Sequence, residues 1–419
     1  MPSNRPLQPV AVTGLGTISA LGPGVAAMDA ALGQGRDGLG RLDLWPTELA
    51  DAFPVGQYRG ELDSDLAAVQ SMKGTARELA RLSRSDKLAL VAAAEAVKQS
   101  GLEAAHLCAA GAYLGQTVCG TFSSEARYLA ALDAARAGSL RRMPMDAMFK
   151  HEGANALDRL AQYFGLGGPT LSFMTACSSG ANAIGLAARR IALGQSEVML
   201  AGGADSLSRI AVYGFHSLQL ISPDGPRPFD RDRKGMTVGE GAGMLVLESL
   251  DHARRRGARA LALVTGFGHS CDAHHLTSPH PEGAGAIAAM REAVAGAGAA
   301  QADIGYVNAH GTATLDNDST EARAIEAVFG PGGVPVSSTK RFFGHTLGAA
   351  GAIEAVVCVR ALQQGALPRN LGVRQPLLDA KLDLVREPRR ADGLRHVLSN
   401  SFGFGGNNAA LVLSRADPG

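Results

Sequence analysis

Three side chains could form a thiol–imidazole site: Cys177 in LSFMTACSSGANAIGLAARR, His310 in GYVNAHGTAT and His345 in SSTKRFFGHTLGAAGAIEA. The apolar run Thr170–Ala176 predicts a strand, and Ser178–Leu193 predicts a helix. Cys177 then stands at a helix N-terminus. Free N–H groups and the positive end of the helix dipole there favour a thiolate. The same N–H groups can hold an oxyanion. Gly180, Ala181 and Ala183 would let another segment approach closely. Taken alone, the stretch suits a small buried core cysteine equally well. The two histidines shift the balance. Each stands at the end of an element beside small residues, where a ligand can approach. The same trio could hold zinc, but zinc sites usually draw on close-spaced ligand pairs, and these residues are far apart in sequence.

The elements that must position them alternate. Strand-length apolar runs are Pro9–Thr13, Ala110–Leu114, Thr170–Thr175, Glu197–Ala201, Gly243–Leu247, Ala260–Val264, Gly305–Asn308, His396–Asn400 and Ala409–Leu413. Longer helical stretches are Ser85–Gln99, Ser178–Leu193, Gly283–Ala297, Ser319–Val328 and Leu347–Gln363. This alternation predicts an α/β fold with buried sheets. VAVTGLGTIS, from Val10, is echoed by LALVTGFGHS, from Leu261. Each is an apolar run entering Thr-Gly-x-Gly, which reads as a glycine turn after a buried strand. The echo suggests two related halves, 1–258 and 259–419. Neither copy completes the G-x-G-x-x-G of a dinucleotide site, because Ser19 and Cys271 stand where the third glycine belongs.

Composition narrows the class. The 419 residues carry a formal net charge of +1, so no global field favours nucleic acid or an anionic membrane. Five scattered cysteines without a CxxC pair fit a reducing compartment. No apolar run reaches the roughly 18 residues of a membrane span. The N-terminal stretch lacks a charged start and a long apolar core. A cytoplasmic location is expected.

The blocks TACSSG, NAHGTAT, STKRFFGH and SNSFGFGGNN, with PFDRDRKGMTVGEGAGMLVLE between the first two, resemble in order the signature blocks of the β-ketoacyl-acyl-carrier-protein synthases. The likeness runs from VAVTGLGTISALG to FGGNNAALVL. The Cys-His-His set is similar to that of the elongating members. The resemblance implies a thiolase-type fold, with two similar halves in a five-layered α-β-α-β-α body and the site at their junction. It implies decarboxylative Claisen condensation, with Cys177 as nucleophile and His310 and His345 as N–H donors to the malonyl thioester and its enolate. No cofactor is required, since phosphopantetheine arrives on the acyl carrier protein.

Other roles follow from the same resemblance. Lys340 would act with Glu321 and Glu354 in an electrostatic network. The N–H groups of Cys177 and Phe404 would form the oxyanion hole, and Phe404 would be a gate. Thr312 and Thr314 would bind the pantetheine arm. Val118 and Cys119 would line the acyl pocket. Asn308, Glu354, Ser399 and Asn400 match positions that hold structural K+ or Na+ in some relatives, and a plain hydrogen-bond network would serve as well. The carrier protein is acidic in this family, so Arg77, Arg81, Arg84 and Lys87 in RELARLSRSDK are candidates for docking. The partner subunit would be a second copy or a chain-length-factor subunit. A non-catalytic chain-length factor is the alternative identity, but such proteins lack the cysteine. Asn317 stands where glycine is common, and RFF before Gly344 is bulky. Both lean towards a polyketide or aryl-polyene synthase.

Overall fold

The computed structural model describes residues 7–68, 81–139, 149–378 and 380–416. In chain order its main strands are β1 (Val10–Ser19), β2 (Gly111–Gly115), β3 (Thr170–Phe173), β4 (Val198–Asp205), β5 (Gly241–Ser249), β6 (Ala262–Cys271), β7 (Ile304–Asn308), β8 (Pro335–Ser337), β9 (His396–Gly403) and β10 (Asn407–Ser414). Five helices concern the site: α1 (Arg84–Ser100), α2 (Ser179–Ala192), α3 (Ala284–Gly296), α4 (Leu315–Phe329) and α5 (Ala350–Gln364).

The Thr-Gly-x-Gly segments do not turn. β1 and β6 each run straight through their glycines, with a register slip at the preceding threonine. The physical reason is close packing. A Cβ on Gly14 or Gly16 would lie 2.0 or 1.9 Å from the carbonyl oxygen of Ala96 or Ala92 in α1. A Cβ on Gly266 or Gly268 would lie 2.0 Å from that of Ala293 or Ala289 in α3. The glycines let a helix backbone rest on the strand, identically in each half.

Strand order is β8-β7-β9-β10-β6-β1-β5-β4-β2-β3. The first half contributes β1-β5-β4-β2-β3 and the second repeats the pattern as β6-β10-β9-β7-β8. In each, the first two strands pair antiparallel and the last two parallel. The halves join where β1 and β6 pair over three residues, from Val10↔Val264 to Val12↔Ala262.

Helix α1 packs on β1 and β5, and α3 on β6 and β10. Helices α2 and α5 lie between the two half-sheets and touch strands of both. One core cluster therefore joins Ile184 and Ala187 of α2, Ile353 and Val357 of α5, and the inward faces of β1, β5 and β10. Separate clusters fill the spaces under α1 and under α3 with α4. That is the expected five-layer arrangement.

Candidate active site

Each central helix begins after a one-turn 3-10 segment, Ala176–Ser178 before α2 and Leu347–Ala349 before α5. Both turns open on a residue other than glycine in left-handed conformation: φ is 52° at Ala176 and 54° at Leu347. Such backbone costs about 1–3 kcal/mol and persists only where packing fixes it. Here the two turns pack on each other. A Cβ on Gly180 would lie 2.8 Å from the Gly348 carbonyl, and one on Gly351 would lie 3.0 Å from Ala181 N. The first elbow presents Cys177 at the start of α2, buried at 8% exposure yet lining a cavity of about 400 Å3.

His310 and His345 line the same cavity. His345 Nε2 lies 3.0 Å from Cys177 Sγ. The two imidazoles meet edge to face, with centroids 5.3 Å apart. Their outer nitrogens fix the tautomers. His345 Nδ1 accepts the Leu347 N–H at 3.2 Å, and His310 Nδ1 accepts from the Lys340 ammonium at 3.3 Å. Each ring therefore carries its proton on Nε2, on the cavity side. One ligand-capable atom each of Cys177, His310 and His345 lies within 4.8 Å of the others. The tautomers argue against a metal centre. A metal-bound histidine donates its second N–H to an acceptor, whereas these rings both accept there.

Burial governs the charges. It pushes the Cys177 thiol up to about 12, against the pull of Lys340 and the Phe404 N–H. The start of α2 acts in the same direction as Lys340. Burial, reinforced by Lys340, holds both histidines well below the usual imidazole range, so both are neutral at pH 7. Lys340 is 1% exposed and donates to Glu354 Oε1 at 2.5 Å.

Comparison with known proteins decides the family. Residues 7–253 match the family described as "Beta-ketoacyl synthase, N-terminal domain", and residues 261–374 its C-terminal domain. The chain belongs to the β-ketoacyl synthases.

A 3-oxoacyl-[acyl-carrier-protein] synthase 2 of Rhizobium meliloti (strain 1021) is 47% identical over 60% of this chain and 62% of its own length. Nodulation protein E of Rhizobium sp. (strain N33) is 36% identical over 96% of this chain and 98% of its own. The solved structure titled "The ishigamide ketosynthase/chain length factor" superposes with a TM-score of 0.91 at 33% identity, over 98% of this chain and all of that one.

Other expected residues of the synthase site fall into place or out of it. Thr312 and Thr314 line the cavity, their hydroxyls 2.9 Å apart. Phe404 lines it too and packs on Phe215 at 5.6 Å. Glu321 does not contact Lys340. It accepts the backbone N–H groups of His310 at 2.8 Å and Gly311 at 2.7 Å, and so holds the histidine loop. Burial pushes both Glu321 and Glu354 up to about 7.

Val118 is absent from the cavity wall. Its N–H bonds Asp205, and its side chain packs with the cluster of Trp45 and Leu207. Cys119 is buried beside it, likewise off the wall. Arg77 lies outside the described residues. Arg81 is exposed but precedes α1, whose N-cap is Ser83. Arg84 turns inward to the buried Glu240 at 2.6 Å, and Lys87 pairs with Asp63 at 2.5 Å. Among the described residues, Arg81, Arg84 and Lys87 share no common helical face.

Asn308 and Ser399 are paired across β7 and β9. Asn308 Oδ1, Ser399 Oγ and Glu354 Oε2 are all buried without a hydrogen-bond partner. Asn400 faces the other side of its strand, where its Nδ2 donates to Glu321 at 3.0 Å. Its side chain does not join the other three.

Two further features, to which the sequence pattern assigns no role, position the site. Buried Asp205, at the end of β4, accepts N–H groups of Thr117, Val118 and Cys119 from the first half and of Gly348 from the second, at 2.8–3.0 Å. It ties the second elbow to the loop beside the first. Burial pushes it up to about 6. The segment Thr237–Gly239 seats His345 by backbone alone: His345 N donates to Thr237 O at 2.7 Å, and Gly239 N to His345 O at 2.8 Å. A lone acid in AGGADS and a backbone ladder leave little trace in residue type.

Proposed function

We propose that Cys177 is the nucleophile of a decarboxylative condensation, with His310 and His345 as neutral donors. The observation that carries this is the Sγ of Cys177 at 3.0 Å from the protonated Nε2 of His345, on an elbow that also faces the Phe404 N–H. The Cys177 sulfur attacks the carbonyl carbon of an acyl thioester carried on phosphopantetheine. That thioester C–S bond breaks, and the arm leaves as a thiol with the cysteine's proton. A malonyl thioester then enters. Its bond to the carboxylate breaks, carbon dioxide leaves, and the electron pair stays as an enolate. The Nε2–H groups of His310 and His345 donate to the enolate oxygen. The enolate carbon attacks the acyl group on Cys177, and the sulfur departs as thiolate.

Preorganised N–H donors in a buried site stabilise such charge without reorganisation, and losing one costs about 100- to 1000-fold in kcat. The N–H groups of Cys177 and Phe404 serve the carbonyl of the acyl-enzyme. His345 cannot take the thiol proton at Nε2, which already holds one. It stabilises the sulfur anion instead.

Thr312 and Thr314 suit the amides of the arm, and Phe404 against Phe215 suits a gate. Lys340 keeps His310 in its tautomer. The orphaned oxygens of Asn308, Ser399 and Glu354 fit a hard monovalent cation, K+ or Na+, which would brace β7, β9 and α5. No step of the reaction uses it.

The substrate reading leans to a specialised polyketide or aryl-polyene chain. Asn317 lines the cavity, so an amide narrows a wall that glycine would leave open. A partner subunit, a second copy or a chain-length factor, would sit on the edge strand β3, where Leu171 is 49% and the adjoining Met174 59% exposed. Among the described residues, no helix is long and apolar enough to cross a membrane. The chain carries the cysteine that a non-catalytic chain-length factor lacks.

The test is mass spectrometry after mixing with an acyl carrier protein substrate. A mass increase of the acyl group on Cys177, absent in Cys177→Ala, is expected. Robust condensation by Cys177→Ala would refute the assignment.

A further inference from the structure

A small cavity, of about 170 Å3, lies at the opposite end of α5 from the elbows and shares no lining residue with the active-site cavity. The last turns of α5 line it, about 20 Å along the helix from the second elbow. Its wall is apolar where Leu32, of the helix Val25–Gln34, faces Val357 and Ala361 of α5 and Leu367 of the short strand that follows. Four arginines also line it, Arg360, Arg369, Arg389 and Arg390. Three of them have acids of their own. Arg360 holds Asp29 at 2.7 Å, Arg389 donates to both oxygens of Asp383 at 2.5 and 2.8 Å, and Arg390 pairs with Asp392. Arg369 is different. Its Nε–H is buried and has no acceptor among the described residues. The acid beside it, Glu387, stays 3.7 Å away and is 81% exposed, an arrangement worth little. The guanidinium lies over the C-terminal cap of Val25–Gln34, where a Cβ on Gly35 would come 3.0 Å from Nη1. The helix dipole favours a cation there but leaves the Nε–H unsatisfied. A buried donor without an acceptor calls for one.

We infer that this cavity binds a small apolar monocarboxylate, its carboxylate on Arg369 and its tail among Leu32, Val357, Ala361 and Leu367. The edge of a guanidinium matches the two oxygens of a carboxylate in geometry and charge. One uncommitted guanidinium selects a monoanion. A phosphate dianion would need a second free cation, and the other three arginines are taken. The ligand's carboxylate displaces only the distant, exposed Glu387. The apolar wall adds a preference for hydrocarbon over a polar tail, and the small volume keeps that tail short. Cys177, His310 and His345 take no part, so the inference stands apart from the condensing reading.

Gly33 supplies a control. It lines the cavity within the helix Val25–Gln34, and a Cβ built on it meets nothing within 4 Å. Gly33→Phe therefore fills the cavity without a clash at the backbone. The test is isothermal titration calorimetry of the full chain with octanoate and with octan-1-ol, equal in chain length but uncharged. Octanoate should bind the wild type about tenfold more tightly than octan-1-ol, the worth of a hydrogen bond between charged groups. The difference should shrink in about 0.5 M NaCl as screening rises. Arg369→Gln should weaken octanoate about tenfold and leave octan-1-ol unchanged. Gly33→Phe should abolish the binding of both. Acylation of Cys177 should keep its wild-type rate in both variants, so the two readings fail separately. No binding of octanoate to the wild type overturns the inference. So does binding that survives in Gly33→Phe, which would place the acid elsewhere, or a loss in Arg369→Gln that is equal for octanoate and octan-1-ol.

Discussion

At the scale of single residues, the site is a contest between burial and local donors, and burial wins. A thiol pushed up to about 12 is almost wholly protonated at pH 7. Histidines held well below the usual range stay neutral. The resting pair is therefore thiol and imidazole. The thiolate fraction should then grow about tenfold per pH unit between pH 6 and 9, with no step near the ordinary imidazole pKa. Alkylation of Cys177 by iodoacetamide, followed by mass spectrometry, measures it. A plateau reached below pH 7 would mean a thiolate–imidazolium pair and would sink the neutral-donor account.

Lys340 provides a second residue-scale test. Lys340→Met removes the donor that fixes His310 and leaves Glu354 buried without its cation. Breaking such a pair costs about 3–5 kcal/mol, measurable by urea unfolding. Adding Glu354→Gln should restore much of that stability but not the condensation rate, since His310 remains free to change tautomer. Recovery of both would reduce Lys340 to a structural role. These assignments show what the sequence carried. Cys177, His310 and His345 sit in blocks whose side chains do the work, so residue type exposed them. Asp205 is a lone acid whose carboxylate gathers backbone N–H groups, and Thr237–Gly239, inside the block PFDRDRKGMTVGEGAGMLVLE, acts through its own backbone, so residue type assigned a role to neither.

At the scale of elements, the instructive misreading is Thr-Gly-x-Gly. Glycine after an apolar run usually signals a turn, yet here it signals a helix lying on the strand. Only the partner shows which, and the partner is about eighty residues away in the first copy. The strands consequently run longer than the apolar pattern: Pro9–Thr13 becomes Val10–Ser19, and Ala260–Val264 becomes Ala262–Cys271. The close contact makes a matched prediction. Gly16→Ala and Gly268→Ala each drive a Cβ into a helix carbonyl at 1.9 and 2.0 Å. Each should cost about 1–3 kcal/mol by overpacking, and by similar amounts, because the halves use one design. Urea unfolding of the two variants checks it. A neutral substitution at either glycine would show that the helix can retreat freely.

At the scale of the whole molecule, duplication supplies two elbows and only one nucleophile. Aligning the helix starts Ser179 and Ala350 places Leu347 opposite Ala176 and Gly348 opposite Cys177, with both turns left-handed at the same step. The second elbow has no room for a side chain. A Cβ on Gly348 would lie 2.7 Å from both Asp205 Oδ2 and the Gln116 backbone carbon. Instead of presenting a nucleophile, this elbow docks on the first half, and its preceding turn delivers His345 to Cys177. Asymmetry of function thus comes from one glycine and one buried acid. Gly348→Ala should force the halves apart at this point, costing about 1–3 kcal/mol. It should slow acylation of Cys177 more than it slows alkylation by the small probe iodoacetamide. Alkylation needs only an accessible sulfur, whereas acylation needs the His345 and Phe404 donors in register. Parallel rate measurements on the one variant decide it: equal slowing of both reactions would mean that Gly348 merely keeps the cavity open, and that Asp205 does not set the geometry between the halves.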